Sequence, residues 1–163
     1  MMPRPAALEI FLEDRQKKTR ISKPRLIRWA RKILKALGWR RVQLSLALVS
    51  DAEIRRLNRR YLKEDRTTDV LAFGQERSGR PRPKRPLLGD VAISVETARR
   101  AAPKYGNRWD EELLLYIAHG ILHLMGYRDS PFRRKARMER RQREVLRKVL
   151  GRKWQSKKRK PLF

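Results

Sequence analysis

The sequence contains no cysteine. That excludes a disulfide framework, a thiol nucleophile and any cysteine-ligated metal, so an ion would have to rest on imidazole and carboxylate. Histidine is almost as scarce, with His119 and His123 the two in 163 residues. No apolar run approaches the roughly 20 residues of a membrane span, and no membrane partner is expected. The opening stretch, MMPRPAALEIFLEDRQ, lacks the apolar core of a signal peptide and carries acidic residues that transit peptides avoid. The expected location is the cytoplasm. Acidic residues are also few, 17 Asp and Glu against 44 Lys and Arg, which leaves a formal charge of +27.

A charge of that size calls for a polyanionic partner. Each phosphate neutralised by a cation releases counterions, so nucleic acid is the partner the composition favours. The excess is unevenly placed, since residues 131–163 hold fifteen Lys and Arg against two Glu. A coding bias toward Arg would also raise the charge, but it explains the Lys-rich KKRK at 157–160 poorly.

With 40% hydrophobic residues, the length suits one domain with a buried core. We place that domain at 1–150 and expect a flexible basic tail at 151–163. Leu8, Ile10 and Leu12 alternate as in a half-buried strand, and Val42, Leu44, Leu46 and Leu48 repeat the pattern. Between them Ser22 and Pro24 open a helix whose stripe is Leu26, Ile27, Ala30, Ile33, Leu34 and Leu37, closed by Gly38. Ser50 and Glu53 form a capping-box pattern that predicts a short helix through about Arg60. Val70 to Phe73 and Leu88 to Ser94 read as strands separated by a Pro- and Arg-rich loop. A helix over Val95 to Ala102 follows. Asn107 is the expected cap of the helix that carries the histidines, and Ser130-Pro131 starts a last one with Val145, Leu146, Val149 and Leu150 as its apolar stripe. The order predicts an α+β fold, a mixed sheet of about four strands packed with helices.

The stretch HGILHLMGYRD, 119–129, concentrates the chemistry. His119 and His123 at i and i+4 share one face of a helix, the spacing at which two imidazoles reach one ion. Gly126 lets the chain reverse and return Asp129 as a third ligand; a cap on the following helix is the competing role for Asp129. Two His and a carboxylate suit zinc, with a fourth position open. The glutamate of the HExxH metalloproteases is replaced by Gly120, which argues against peptidase chemistry. Asp90 could hydrogen-bond a liganding histidine. Thr68 and Asp69 suit a strand end, and Ser94 a helix cap rather than a nucleophile. Tyr127, Phe73 and Trp154 are core residues or stacking partners for an unpaired base.

HGILHLMGYRD resembles the HGxLHLxGYDH signature of the YbeY family of metal-dependent endoribonucleases. LNRRYLKEDRTTDVLAF, 57–73, is similar to that family's LNxxYRxxDxPTDVLSF, and LLGDVAIS, 87–94, to its LGDIxIS strand. The resemblance runs over nearly all of the chain to Leu150. It implies a mixed sheet beside a zincin-like helix, one zinc per chain held by His119, His123 and Asp129, and a role in ribosomal RNA maturation and ribosome quality control. RNA, in ribosomal precursors or subunits, is the implied partner, and DNA is not expected.

Two departures from the family pattern matter. Asp129 stands where the family closes its motif with His, and Leu62 where it has Arg. A carboxylate still ligates zinc but acidifies bound water less, whereas Leu cannot grip a phosphate. Arg59, Arg60 or Lys63 is then the expected source of a cation near the ion, and we assign His119, Arg59 and Lys63 as the catalytic set. Single-strand-specific RNA cleavage is one function consistent with these residues. A non-catalytic ribosome-assembly factor with a structural metal is the other, and Leu62 favours it.

Overall fold

The computed structural model describes residues 8–74, 87–128, 132–151 and 154. Four strands, β1 (Leu8–Asp14), β2 (Val42–Val49), β3 (Val70–Phe73) and β4 (Leu87–Ser94), form one sheet in the order β1-β2-β4-β3. β1, β2 and β4 run parallel, and β3 lies antiparallel to β4 along the edge. The α+β reading and the mixed sheet hold. Each parallel step needs a long crossover. One is α1 (Lys23–Ala36); the connection from β2 to β4 contains α2 (Asp51–Leu62) and β3. After the sheet come α3 (Val95–Ala101), a 3-10 turn over Ala102–Tyr105, α4 (Trp109–Leu124) and α5 (Phe132–Leu150).

The helices divide unequally over the two faces. Strand alternation sends Leu44, Leu46, Leu48, Val91 and Ile93 to the main core, where they meet Leu26, Ala30, Ile33 and Leu34 of α1 and nearly the whole apolar length of α4. α5 packs outside these, on α4 and α1. The opposite face holds a smaller core, in which Ile54 of α2 covers Val49, Leu71 and Ala92 with Leu57 and Phe73 alongside. Much of that second face stays open.

Several local expectations hold and two do not. Ser50 accepts from the Glu53 amide at 3.2 Å and Ser94 from the Thr97 amide at 3.2 Å, each capping the helix that follows. Asp69 fixes the start of β3 by accepting from the Val70 amide at 2.9 Å and from the Thr68 hydroxyl at 3.2 Å. The side chain of Ser22 makes no cap hydrogen bond, leaving Pro24 as the start signal of α1. Asn107 does not cap α4 either; the cap position is Arg108, whose amide donates to Glu111 at 2.8 Å. Asn107 donates instead to the buried Glu112 at 2.8 Å, because a carboxylate inside the fold needs a donor more than a solvated helix end does. Of the tail, Gly151 and Trp154 are described, and Trp154 packs against the main core. The other tail residues lie outside the described ones.

Candidate metal centre

α4 is apolar almost all round, with buried residues from Asp110 through Leu122, so it is the central helix of the fold. Its seating depends on Gly120. A Cβ there would stand 2.7 Å from Cγ1 of Val91, so the missing side chain is what lets the helix lie directly on β4. The position that bears a general base in HExxH enzymes is therefore packed against strand here. At the other end Gly126, with φ +96°, turns the chain while the amides of Gly126 and Tyr127 satisfy the carbonyls of His123 and Leu122 at 3.0 Å each.

That seating leaves the two histidines in one place. His119 is buried and His123 half-buried, their rings are 4.6 Å apart and nearly perpendicular, and their Nε2 atoms face each other at 3.0 Å. On the far side of His119, Nδ1 lies 3.0 Å from Oε1 of the buried Gln142 in α5. A carboxamide oxygen only accepts, so the proton of neutral His119 sits on Nδ1 and its Nε2 presents a lone pair. Two imidazole nitrogens at zinc-ligand distance in tetrahedral geometry stand about 3.3 Å apart. The observed spacing and the tautomer both fit a divalent ion between the rings, with Gln142 as the outer hydrogen-bond partner that such ligands have.

Among the described residues no group of three or more His, Asp or Glu comes together. Asp129, the expected third ligand, lies outside the described residues. Asp90 is not the partner of a histidine: Val91 faces α4, so its neighbour Asp90 points to the other side of the sheet and is exposed. The partner is Gln142, whose sequence signal was a polar residue within the stripe of Met138, Val145 and Leu146.

Arg59 and Lys63 are exposed at the C-terminal end of α2, on the sheet face opposite α4. Arg59 is close enough to Asp65 to help lower that carboxyl's pKa, after the main effect of the Arg55 hydrogen bonds. Lys63 adopts the left-handed conformation, φ 59°, that ends the helix. No described hydrogen bond or ion pair links either cation to the histidines.

Leu62 lines a groove of about 910 Å³ on that same open face, with Phe11, Ser45, Tyr61, Phe73 and Asp90. Phe11 and Tyr61 are 57% and 55% exposed, and Tyr61 lies against Phe73 with 5.2 Å between ring centroids. Phe73 is thus half-buried, packed against the smaller core on one side and forming groove wall on the other, and Tyr127 is half-buried as well. The groove and the histidines approach the same end of the sheet. Asp90 and Phe73 pair across β4 and β3, and the preceding residue of β4, Gly89, lies against Leu124, the neighbour of His123.

Comparison with known proteins agrees with the motifs. A family model described as endoribonuclease YbeY matches residues 11–150. The endoribonuclease YbeY of Geobacter metallireducens is 37% identical over 85% of this chain and 94% of its own length. That of Aquifex aeolicus is 44% identical over 68% of this chain and 72% of its own. That of Myxococcus xanthus is 49% identical over 63% of this chain, which spans 35% of that longer protein. The solution structure of a Thermotoga maritima protein superposes with a TM-score of 0.60 at 26% identity, covering 88% of this chain and 90% of that one.

Proposed function

The chain belongs to the endoribonuclease YbeY family, and on that premise we propose that it is a zinc-dependent, single-strand-specific endoribonuclease acting in the cytoplasm on ribosomal RNA precursors, in maturation and in ribosome quality control. The observation that carries the metal half of this reading is the pair of facing Nε2 atoms with the His119 tautomer set by Gln142. His119 and His123 would hold the ion, with Asp129 as the third ligand. Such an ion supplies Lewis acidity to a phosphodiester and lowers the pKa of water.

The chain's own residues supply position and charge. Gln142 keeps Nδ1 of His119 protonated and its ring in one orientation, and burial of both excludes competing water. RNA passing over the shared end of β3 and β4 would come from the ion to the groove, where Tyr61 and Phe11 offer exposed rings to an unpaired base. Arg59 and Lys63 would then serve as backbone contacts beside the groove, away from the ion.

One observation favours a second reading, a ribosome-assembly factor with a structural metal. Leu62 places an aliphatic side chain in the groove at the position of the family's Arg. Cleavage of an unstructured RNA oligonucleotide by highly purified protein, with and without added zinc, separates the two. Cleavage that needs the ion and is absent from His119→Ala supports the enzyme. A wild-type protein that binds zinc and RNA yet cleaves nothing leaves the assembly factor.

A further inference from the structure

The charge of this chain has an ordered component distinct from its tail. α5 carries nine Lys and Arg against two Glu, and both glutamates are engaged, Glu139 with Lys135 and Glu144 with Arg141. Its buried side holds Met138, Gln142, Val145 and Leu146. At 3.6 residues per turn the side opposite these carries Arg133, Arg137, Arg140 and Arg147, all exposed and without an ion pair among the described residues, with Glu144, held by Arg141, as its one acid. From the first to the last the stripe runs about 21 Å at 1.5 Å per residue.

The neighbouring helix repeats the pattern. α1 has six Lys and Arg and no acidic residue. Leu26, Ala30, Ile33 and Leu34 are buried, and Arg28, Lys32 and Lys35, at i, i+4 and i+7, are exposed. α1 and α5 pack on each other, so the two stripes adjoin. Like charges held this close repel, and the carboxylates of the two helices, Glu139 and Glu144 of α5, are too few to offset them. On the opposite side of the molecule cations and carboxylates are mixed: Arg15 is paired with Glu13 and Glu53 and Arg55 with Asp65, beside the exposed Arg56, Arg59 and Arg60 of α2.

We propose that the outer surface of α1 and α5 is a docking platform for the phosphate backbone of RNA. The inference rests on the RNA reading above and adds where the strand is held. Arginine in a fixed row suits phosphate, because each guanidinium offers a planar fork to two oxygens. An anionic membrane would be served by basic residues flanking an apolar face that can insert, but the apolar side of α5 is already buried in the core. The platform lies on the α4 side of the sheet, and the inner side of α5 contacts His119 through Gln142. RNA held outside α5 is therefore about one helix diameter, 10–12 Å, from the histidines.

The test replaces Arg133, Arg137, Arg140 and Arg147 together by Gln in the full-length chain. A second variant removes four exposed cations away from the platform, Lys17, Arg56, Arg99 and Lys104, also by Gln. Circular dichroism and thermal midpoints establish that both fold. Affinity for an unstructured RNA oligonucleotide is measured over a salt series. Counterion release for single strands gives about 0.7 in slope per contact, so the platform variant should lose about 3 from the slope of log affinity against log salt. The second should lose under 1. Equal losses would mean that total charge alone sets affinity, and the platform would be wrong. An unchanged RNA slope with lost binding to phosphatidylglycerol vesicles would overturn it in favour of a membrane. Binding requires no cleavage, so a chain that shows the expected slopes but cuts nothing keeps the platform and loses the endoribonuclease reading.

Discussion

Nδ1 of His119 donates a hydrogen bond of 3.0 Å to Oε1 of Gln142, 23 residues further along the chain and on a different helix. This contact decides which nitrogen of His119 faces His123. Without it the ring would be free to exchange tautomers, and half of the candidate metal site would be a donor as often as an acceptor.

Gln142→Leu keeps the size of the side chain and removes the acceptor. Loss of such an outer partner lowers metal affinity by about 10- to 100-fold, and that is the expected result of zinc titration against a competing chelator. Gln142→Glu restores a stronger acceptor and should bind at least as tightly as wild type. Equal affinity in all three proteins would remove Gln142 from the site.

His123→Ala removes one of the two facing nitrogens. Zinc content per chain, read by elemental analysis after dialysis, should fall from about one to near zero, since two protein ligands do not hold zinc against buffer. Retention of the ion would show that it is bound elsewhere.

Gly120→Ala tests the seating of α4 without changing either histidine. The added Cβ would meet Cγ1 of Val91 at 2.7 Å and Cγ2 at 3.1 Å. Overpacking of this kind costs about 1–3 kcal/mol. A Val91→Ala change in the same chain should recover part of it, and urea unfolding of the double-mutant cycle measures how much. Strictly additive losses would mean that the two side chains do not meet.

Much of the fold was legible in the sequence because its periods are strong. α1 has an unbroken apolar stripe, β2 alternates cleanly, and Ser50 and Ser94 announce their helices. The histidine pair was legible for the same reason, since both residues lie on one helix. What was not legible is whatever crosses between elements. Gln142 stands out in the sequence only as a polar residue in the apolar stripe of α5, and its partner is not apparent until α5 is laid on α4. Asp90 looked like a histidine partner in the linear motif, yet one residue of strand register puts it on the far face. Arg59 and Lys63 were assigned to the ion as neighbours of the family's arginine position, and α2 holds them on the sheet face opposite α4.

Asp51 ties the start of α2 to α3. Burial works to raise its carboxyl's pKa, but hydrogen bonds from Ser94, Arg100 and Thr97 outweigh that and hold it below the usual carboxylate range. A lowered folded pKa adds stability that is complete above the unfolded value, about 3.9, and is lost as pH falls through the folded one. Wild type should therefore lose this increment below about pH 4, and Asp51→Asn should show a flatter profile there. At neutral pH the variant should be weaker by about 1–2 kcal/mol. Arg100, at 59% side-chain exposure, accounts for the smaller share. Identical acid limbs in the two proteins would rule this carboxylate out as the source.

Leu62→Arg examines the position where this chain leaves its family's pattern. If RNA runs from the histidines over the end of β3 and β4 into the groove, a guanidinium at 62 would grip a phosphate there, in a groove that holds the carboxylates of Glu13 and Asp90 and the guanidinium of Arg15. A contact made only in the transition state is worth about 10² to 10³ in rate. The gain at 62 should be smaller, because the residue lies behind the sheet, where the new charge would hold substrate more than stabilise the reacting phosphate. RNA cleavage should rise mainly through a lower KM, with kcat and zinc content almost unchanged. A rise in kcat alone would place position 62 at the reacting phosphate and the path over the sheet end would be wrong. A fall in cleavage would mean that the aliphatic groove wall itself is what the RNA uses, with Tyr61 and Phe73 stacking beside it.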